Sequence, residues 1–133
     1  MSTADQPTTS SKAMIWIGRV ISVLPAAGLI MSGVMKFILP KDAIEGFTHL
    51  GWNVDVAYAL GIAELVSTLL YLLPQTSVLG AILLTGYLGG AIATHVRIGE
   101  GFAAPAIIGV LLWIGLYLRD ARLRALVPWR RIG

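Results

Sequence analysis

Residues 54–96 read VDVAYALGIAELVSTLLYLLPQTSVLGAILLTGYLGGAIATHV. Two long apolar runs, 54–73 and 78–96, flank an uncharged four-residue link, Pro74 to Ser77. Each run is continuously apolar rather than alternating with period two, which excludes the strands of a membrane β-barrel. Each is close to the roughly 20 residues that a helix needs to cross a bilayer. A link this short makes the two helices an antiparallel hairpin.

Working outward, the preceding run covers 14–39, with Arg19 near its start, Lys36 near its end and Pro25 inside it. Proline removes a backbone donor and predicts a kink, which membrane helices tolerate. A fourth run covers 102–118. Composition agrees with a lipid environment. The 133 residues are 56% hydrophobic and 13% charged, with a mean hydropathy of +0.79, whereas soluble domains carry about 25% charge. A soluble globule of this size has no interior large enough to hide such a surface. The expected fold is therefore an all-α integral membrane protein, a four-transmembrane-helix bundle over residues 13–118. Four spans leave no room for a separate soluble catalytic domain. The absence of cysteine excludes disulfides, thiolate metal sites, iron–sulfur ligation and a thiol nucleophile from this chain.

Charge placement sets the expected orientation. Lys12, Arg19, Arg119, Arg122, Arg124, Arg130 and Arg131 fall on the side of the termini, and Lys36, Lys41 and Arg97 on the other. The positive-inside rule then puts both termini in the cytoplasm of a bacterial-type inner membrane. Residues 1–12 read as a flexible cytoplasmic tail rather than a signal peptide, because the apolar run that follows is too long and lacks a clear cleavage pattern. Residues 119–133 read as a basic cytoplasmic tail, either a topology anchor or a segment that binds anionic lipid. The longest connection, 40–53, holds an expected amphipathic turn over Asp42 to Leu50, with Phe47 and Trp52 in the interfacial aromatic pattern.

Glu64 is the most informative residue. By helical rise it lies about 15 Å deep, where an acid costs a few kcal/mol. It needs the bundle interior, a proton or a cation, and it reads equally as a proton-relay or ligand-binding acid and as a structural hydrogen-bonding group. It shares a stripe with Ala57, Gly61, Thr68 and Tyr71, which should be a packed face. Gly28, Ser32 and Lys36 form a similar stripe in the first run, and Gly86, Gly89, Gly90, Ala93 and Thr94 suggest tight packing in the third. Lys36 either extends to the interface or pairs with Glu64 across the bundle. His95 and Arg97 close the third run. Depth and direction group Lys36, Glu64, His95 and Arg97, with His49 and Asn53 at the rim, into one polar outer-leaflet pocket. Trp52, Tyr58 and Tyr87 are candidate walls, and Trp113 and Tyr117 read as interface markers. Histidine spacing does not suit a haem or metal site. A quinone or lipid-like ligand suits such a pocket better. No phosphate-binding or dinucleotide glycine loop is present, and no basic domain points to nucleic acid.

The runs Ser32-Gly33-Val34-Met35-Lys36-Phe37, Leu60-Gly61-Ile62-Ala63-Glu64-Leu65, Tyr71-Leu72-Leu73-Pro74 and Gly90-Ala91-Ile92-Ala93-Thr94-His95 together resemble the DoxX-like family of small four-helix membrane proteins. The resemblance extends from about Arg19 to Arg124. It implies a four-helix membrane fold. Some relatives are membrane subunits of quinol or thiosulfate:quinone oxidoreductases, another is linked to a membrane thiol-redox complex, and distant ones resemble assembly chaperones for receptor channels. The resemblance thus implies an accessory subunit of a quinone-linked redox system, or alternatively an assembly-type interaction protein without chemistry of its own. It places Glu64 and His95 at family-like positions. Expected partners are the lipid bilayer and either other membrane subunits or a second copy of the chain.

Overall fold

The computed structural model describes residues 11–133, and the first ten residues of the expected N-terminal tail lie outside the described residues. The described residues form helices and turns without strands. Helix α1 spans Lys12–Ile38, α2 Lys41–His49, α3 Ala57–Leu72, α4 Ser77–Arg97, α5 Ala103–Arg119 and α6 Ala121–Arg124. A 3-10 turn at Val54–Val56 leads into α3.

Local chemistry sets these limits. The Ser11 hydroxyl accepts from the Met14 N–H at 3.2 Å and caps α1, satisfying one of the donors that a helix start leaves unpaired. The helix continues through Pro25. It ends at Leu39, which adopts a left-handed conformation with φ 50° and donates to Met35 at 2.9 Å; Pro40 then prevents continuation. The Asn53 side chain accepts from Asp55 N–H at 3.0 Å and starts the 3-10 turn. The expected surface turn is a full helix, α2, with no buried residue.

The three helices α1, α3 (with its 3-10 turn) and α4 are long and apolar enough to cross a membrane, and α5 is a shorter apolar helix. Helix α1 packs on α3 and α5, α3 on α4, and α4 on α5, which closes a ring. One end of the ring carries α2 and the α4–α5 connection; the other carries the α3–α4 turn and α6. Leu29, Tyr71, Leu84, Leu112 and Leu116 form the core. Large apolar side chains such as Trp16, Leu24, Met31, Ile62, Leu69, Ile82 and Val110 point outward and are at least half exposed. An exterior of this kind suits lipid rather than water, and the chain is a helical membrane protein.

The predicted stripe on α3 is a packed face: Ala57, Gly61, Glu64, Thr68 and Tyr71 are all buried. Packing is closest toward the α6 end. An added Cβ at Gly18 would lie 2.8 Å from the Gly115 carbonyl oxygen, so α1 and α5 touch through backbone. Beside this contact the Tyr71 hydroxyl lies 2.6 Å from the Leu112 carbonyl and 2.9 Å from the Ser22 hydroxyl. Arg119 stacks on the Tyr71 ring at 4.9 Å and donates to the Tyr71 carbonyl at 3.2 Å. This network ties α1, α3 and α5 together. Trp113 donates to Thr85 at 2.7 Å and links α5 to α4. Tyr117 packs against the core.

One packing expectation is corrected. Gly86, Gly89 and Gly90 of α4 are exposed, and so is Gly28 of α1; an added Cβ at any of them meets nothing within 4 Å. These small residues do not bring helices together. A cavity lies between α1 and α4 toward the α2 end.

Candidate functional site

The cavity has a volume of about 780 Å³ and lies toward the α2 end of the ring. Two of its walls carry small residues: Gly28 and Ser32 on α1, and Gly86 and Gly90 on α4. Ala104, Pro105 and Ile108 of α5 add apolar surface, and Phe47 of α2 with Leu50 just after it covers the end. The missing side chains of α1 and α4 are what make the space.

Its polar floor depends on a close helix approach. At Gly61 an added Cβ would lie 3.1 Å from the Lys36 Cβ and 3.2 Å from the Gly33 carbonyl. Glycine at 33 and 61 therefore lets α1 run against α3, and that places Lys36 beside Glu64. The Lys36 ammonium lies 2.7 Å from Glu64 Oε2. It also donates to the Ser32 hydroxyl at 2.9 Å and to the Ser32 carbonyl at 3.4 Å. The Tyr87 hydroxyl donates to the same Oε2 at 3.0 Å. The Glu64 side chain is 2% exposed and that of Lys36 15%. Such a pair offsets its desolvation only when further hydrogen bonds complete it, and Ser32 and Tyr87 supply them. Of the two readings open for Lys36, the structure has the pairing with Glu64.

His95 lines the α4 wall. Its Nδ1 lies 2.8 Å from the Ala91 carbonyl oxygen. Arg97 does not join the other three. It donates to the Leu50 carbonyl and lines a neighbouring cleft of about 360 Å³ with Gly51, Trp52, Ala93 and Thr94. The reason is helical geometry: positions two apart on an α-helix point about 200° apart, so His95 and Arg97 cannot face one cavity. The predicted rim residues act locally. His49 pairs with Glu100, Asn53 caps the 3-10 turn, and Tyr58 packs against Phe37 at 5.7 Å between ring centres, outside the cavity. Trp52 lines both spaces.

Tyr87 was legible only as a wall residue. Its hydrogen bond to Glu64 follows from the α3–α4 hairpin register, which the four-residue link implies but does not fix. The pairing of α2 with the α4–α5 connection, through His49–Glu100 and Arg97–Leu50, had no sequence signal.

The arrangement combines a charged, hydrogen-bonded floor with apolar walls inside the helix ring. The chain matches the family model of the DoxX-like family over residues 20–115, from α1 to near the end of α5. No match was found among curated proteins or solved structures. The family match reaches into every helix that builds the ring and includes both residues of the buried ion pair, and the chain belongs to the DoxX-like family.

Proposed function

We propose that this DoxX-like protein is an accessory subunit of a quinone-linked membrane redox system, and that its cavity holds a quinone-like or lipid-like molecule. The cavity itself carries this reading. Small-molecule sites are concave, mostly apolar and about 300–1,000 Å³, with a few convergent polar groups. A space of about 780 Å³ whose floor is Lys36, Glu64 and Tyr87, with His95 on its wall, has that character. It suits an amphiphile with a polar ring and an apolar tail.

The test is native mass spectrometry of the protein released from its own membranes. A small apolar molecule of quinone type should remain bound. Gly90→Trp, which fills the cavity from the α4 wall, should remove it. Wild-type protein that carries no small molecule and no partner would sink the reading.

The alternative, an assembly-type interaction protein, draws on the α4 glycines, two of which also line the cavity. Gly86, Gly89 and Gly90 lie open on α4, and small residues let a second helix approach closely. In the same experiment this reading expects another membrane protein bound to the chain without a small molecule.

The proposed orientation has four spans and both termini in the cytoplasm of a bacterial-type inner membrane. Seven of the ten basic residues lie toward the termini, namely Lys12, Arg19, Arg119, Arg122, Arg124, Arg130 and Arg131, and positive charge favours the cytoplasmic side. A reporter that is active only in the cytoplasm, fused after Gly133, should be active. Activity from a reporter that works only across the membrane would reverse the assignment.

A further inference from the structure

We infer that the cavity is built for a hydrogen-bond donor, and so for the hydroxyl-bearing reduced form of a ring amphiphile (a quinol) in preference to its carbonyl form. The inference rests on the proposed reading of the cavity as a ligand site. It comes from an account of which polar atoms at the floor and wall are already used.

The donors are largely committed. The Lys36 ammonium has three N–H groups, and three acceptors surround it: Glu64 Oε2, the Ser32 hydroxyl and the Ser32 carbonyl. The single proton of Tyr87 goes to Glu64 Oε2. The Thr94 hydroxyl donates to the Gly90 carbonyl at 2.8 Å. At His95, Nδ1 faces a carbonyl oxygen, which can only accept. Whenever the ring is neutral its proton is therefore on Nδ1, and Nε2 then carries a lone pair.

The acceptors are not committed. Both bonds to Glu64 fall on Oε2. Among the described residues nothing donates to Oε1, although Glu64 is 1% exposed and lines the cavity. His95 Nε2 likewise has no donor among the described residues. Among the described residues the one fully enclosed side-chain polar atom without a partner is Arg119 Nε, so the cavity reaches Oε1. A ligand carbonyl would set lone pairs against it. A ligand hydroxyl would give it a charge-assisted hydrogen bond, which is stronger than a neutral one. The Ser32 hydroxyl proton remains available nearby. A ligand hydroxyl can accept from Ser32 while donating to Glu64, whereas a carbonyl can only accept.

The test compares decylubiquinol with decylubiquinone, which share a tail, by anaerobic titration of the full chain in nanodiscs. The quinol should bind at least about tenfold more tightly, the scale of one hydrogen bond to a charged group. Equal affinities, or tighter binding of the quinone, would overturn the inference and leave the proposed cavity intact. If neither molecule binds, the proposed function itself fails. Glu64→Gln offers a sharper reading. Its amide oxygen can keep Lys36 and Tyr87, and its amide N–H₂ would then face the cavity as a donor, so the preference should vanish or invert. An unchanged quinol preference in that variant would show that Glu64 is not its source. Should the variant not fold, infrared difference spectra of the wild-type protein serve instead. Quinol should shift the carboxylate stretch and quinone should not; the reverse pattern, or no shift with bound quinol, counts against the inference.

Discussion

Replacing Glu64 with leucine should destabilise the protein by about 3 kcal/mol or more, whereas replacing Lys36 with methionine at the same time should recover most of that loss. The single change leaves the Lys36 ammonium, 15% exposed, with only the Ser32 oxygens as acceptors. Breaking one side of a buried ion pair typically costs about 3–5 kcal/mol, because the remaining charge keeps its desolvation penalty. Lys36 lies in the last turn of α1 and can partly relieve itself toward the headgroups, so the lower end of that range applies. The double change removes both charges together, and well-packed apolar replacements of buried pairs are often neutral. Unfolding midpoints of the two single variants and the double variant, measured in one detergent, give the coupling directly. If Glu64→Leu unfolds within about 1 kcal/mol of wild type, below the range for a buried pair, the pair contributes little to the fold.

The second large effect concerns two classes of glycine on a single helix. Gly80→Ala should cost about 3 kcal/mol, while Gly86→Ala and Gly90→Ala should each be neutral or gain about 0.5–1 kcal/mol. At Gly80 an added Cβ would press on the Tyr71 backbone and lie 2.7 Å from the Leu70 carbonyl carbon. Backbone atoms have no alternative rotamer, so the clash must separate α3 from α4 at the turn that joins them. At Gly86 and Gly90 the same methyl group meets nothing within 4 Å, and it lowers the conformational entropy of the unfolded chain. Thermal unfolding of the three variants decides the matter. Equal effects at all three positions would contradict the geometry.

That contrast also explains what the sequence can and cannot reveal. The apolar runs and the uncharged link at 74–77 announce the helices, since length and hydropathy are local properties. The Ala57-to-Tyr71 stripe announces a buried face, because an acid at mid-helix has few places to go. The glycines of α4 mislead for a physical reason. A small residue reports that its own side chain is missing, not what stands opposite, and close packing and an open cavity share one pattern. Arg97 was grouped with His95 by depth and direction along the chain, although helical phase already separates them. The Ser22–Tyr71–Leu112–Arg119 network depends on α1 and α5 being neighbours. No local pattern encodes that adjacency, which arises from the order of helices around the ring.

The same adjacency bears on how the molecule is made. Helix α1 is the first of the ring helices to be synthesised and α5 the last, yet they meet backbone to backbone at Gly18 and Gly115. Until α5 emerges, the Tyr71 hydroxyl lacks the Leu112 carbonyl and the Gly18 face of α1 has no neighbour. A nascent chain holding α1, α3 and α4 can already form the Lys36–Glu64 pair, but not the closed ring. The floor residues Lys36, Glu64 and Tyr87 are thus all synthesised before the wall supplied by Pro105 and Ile108.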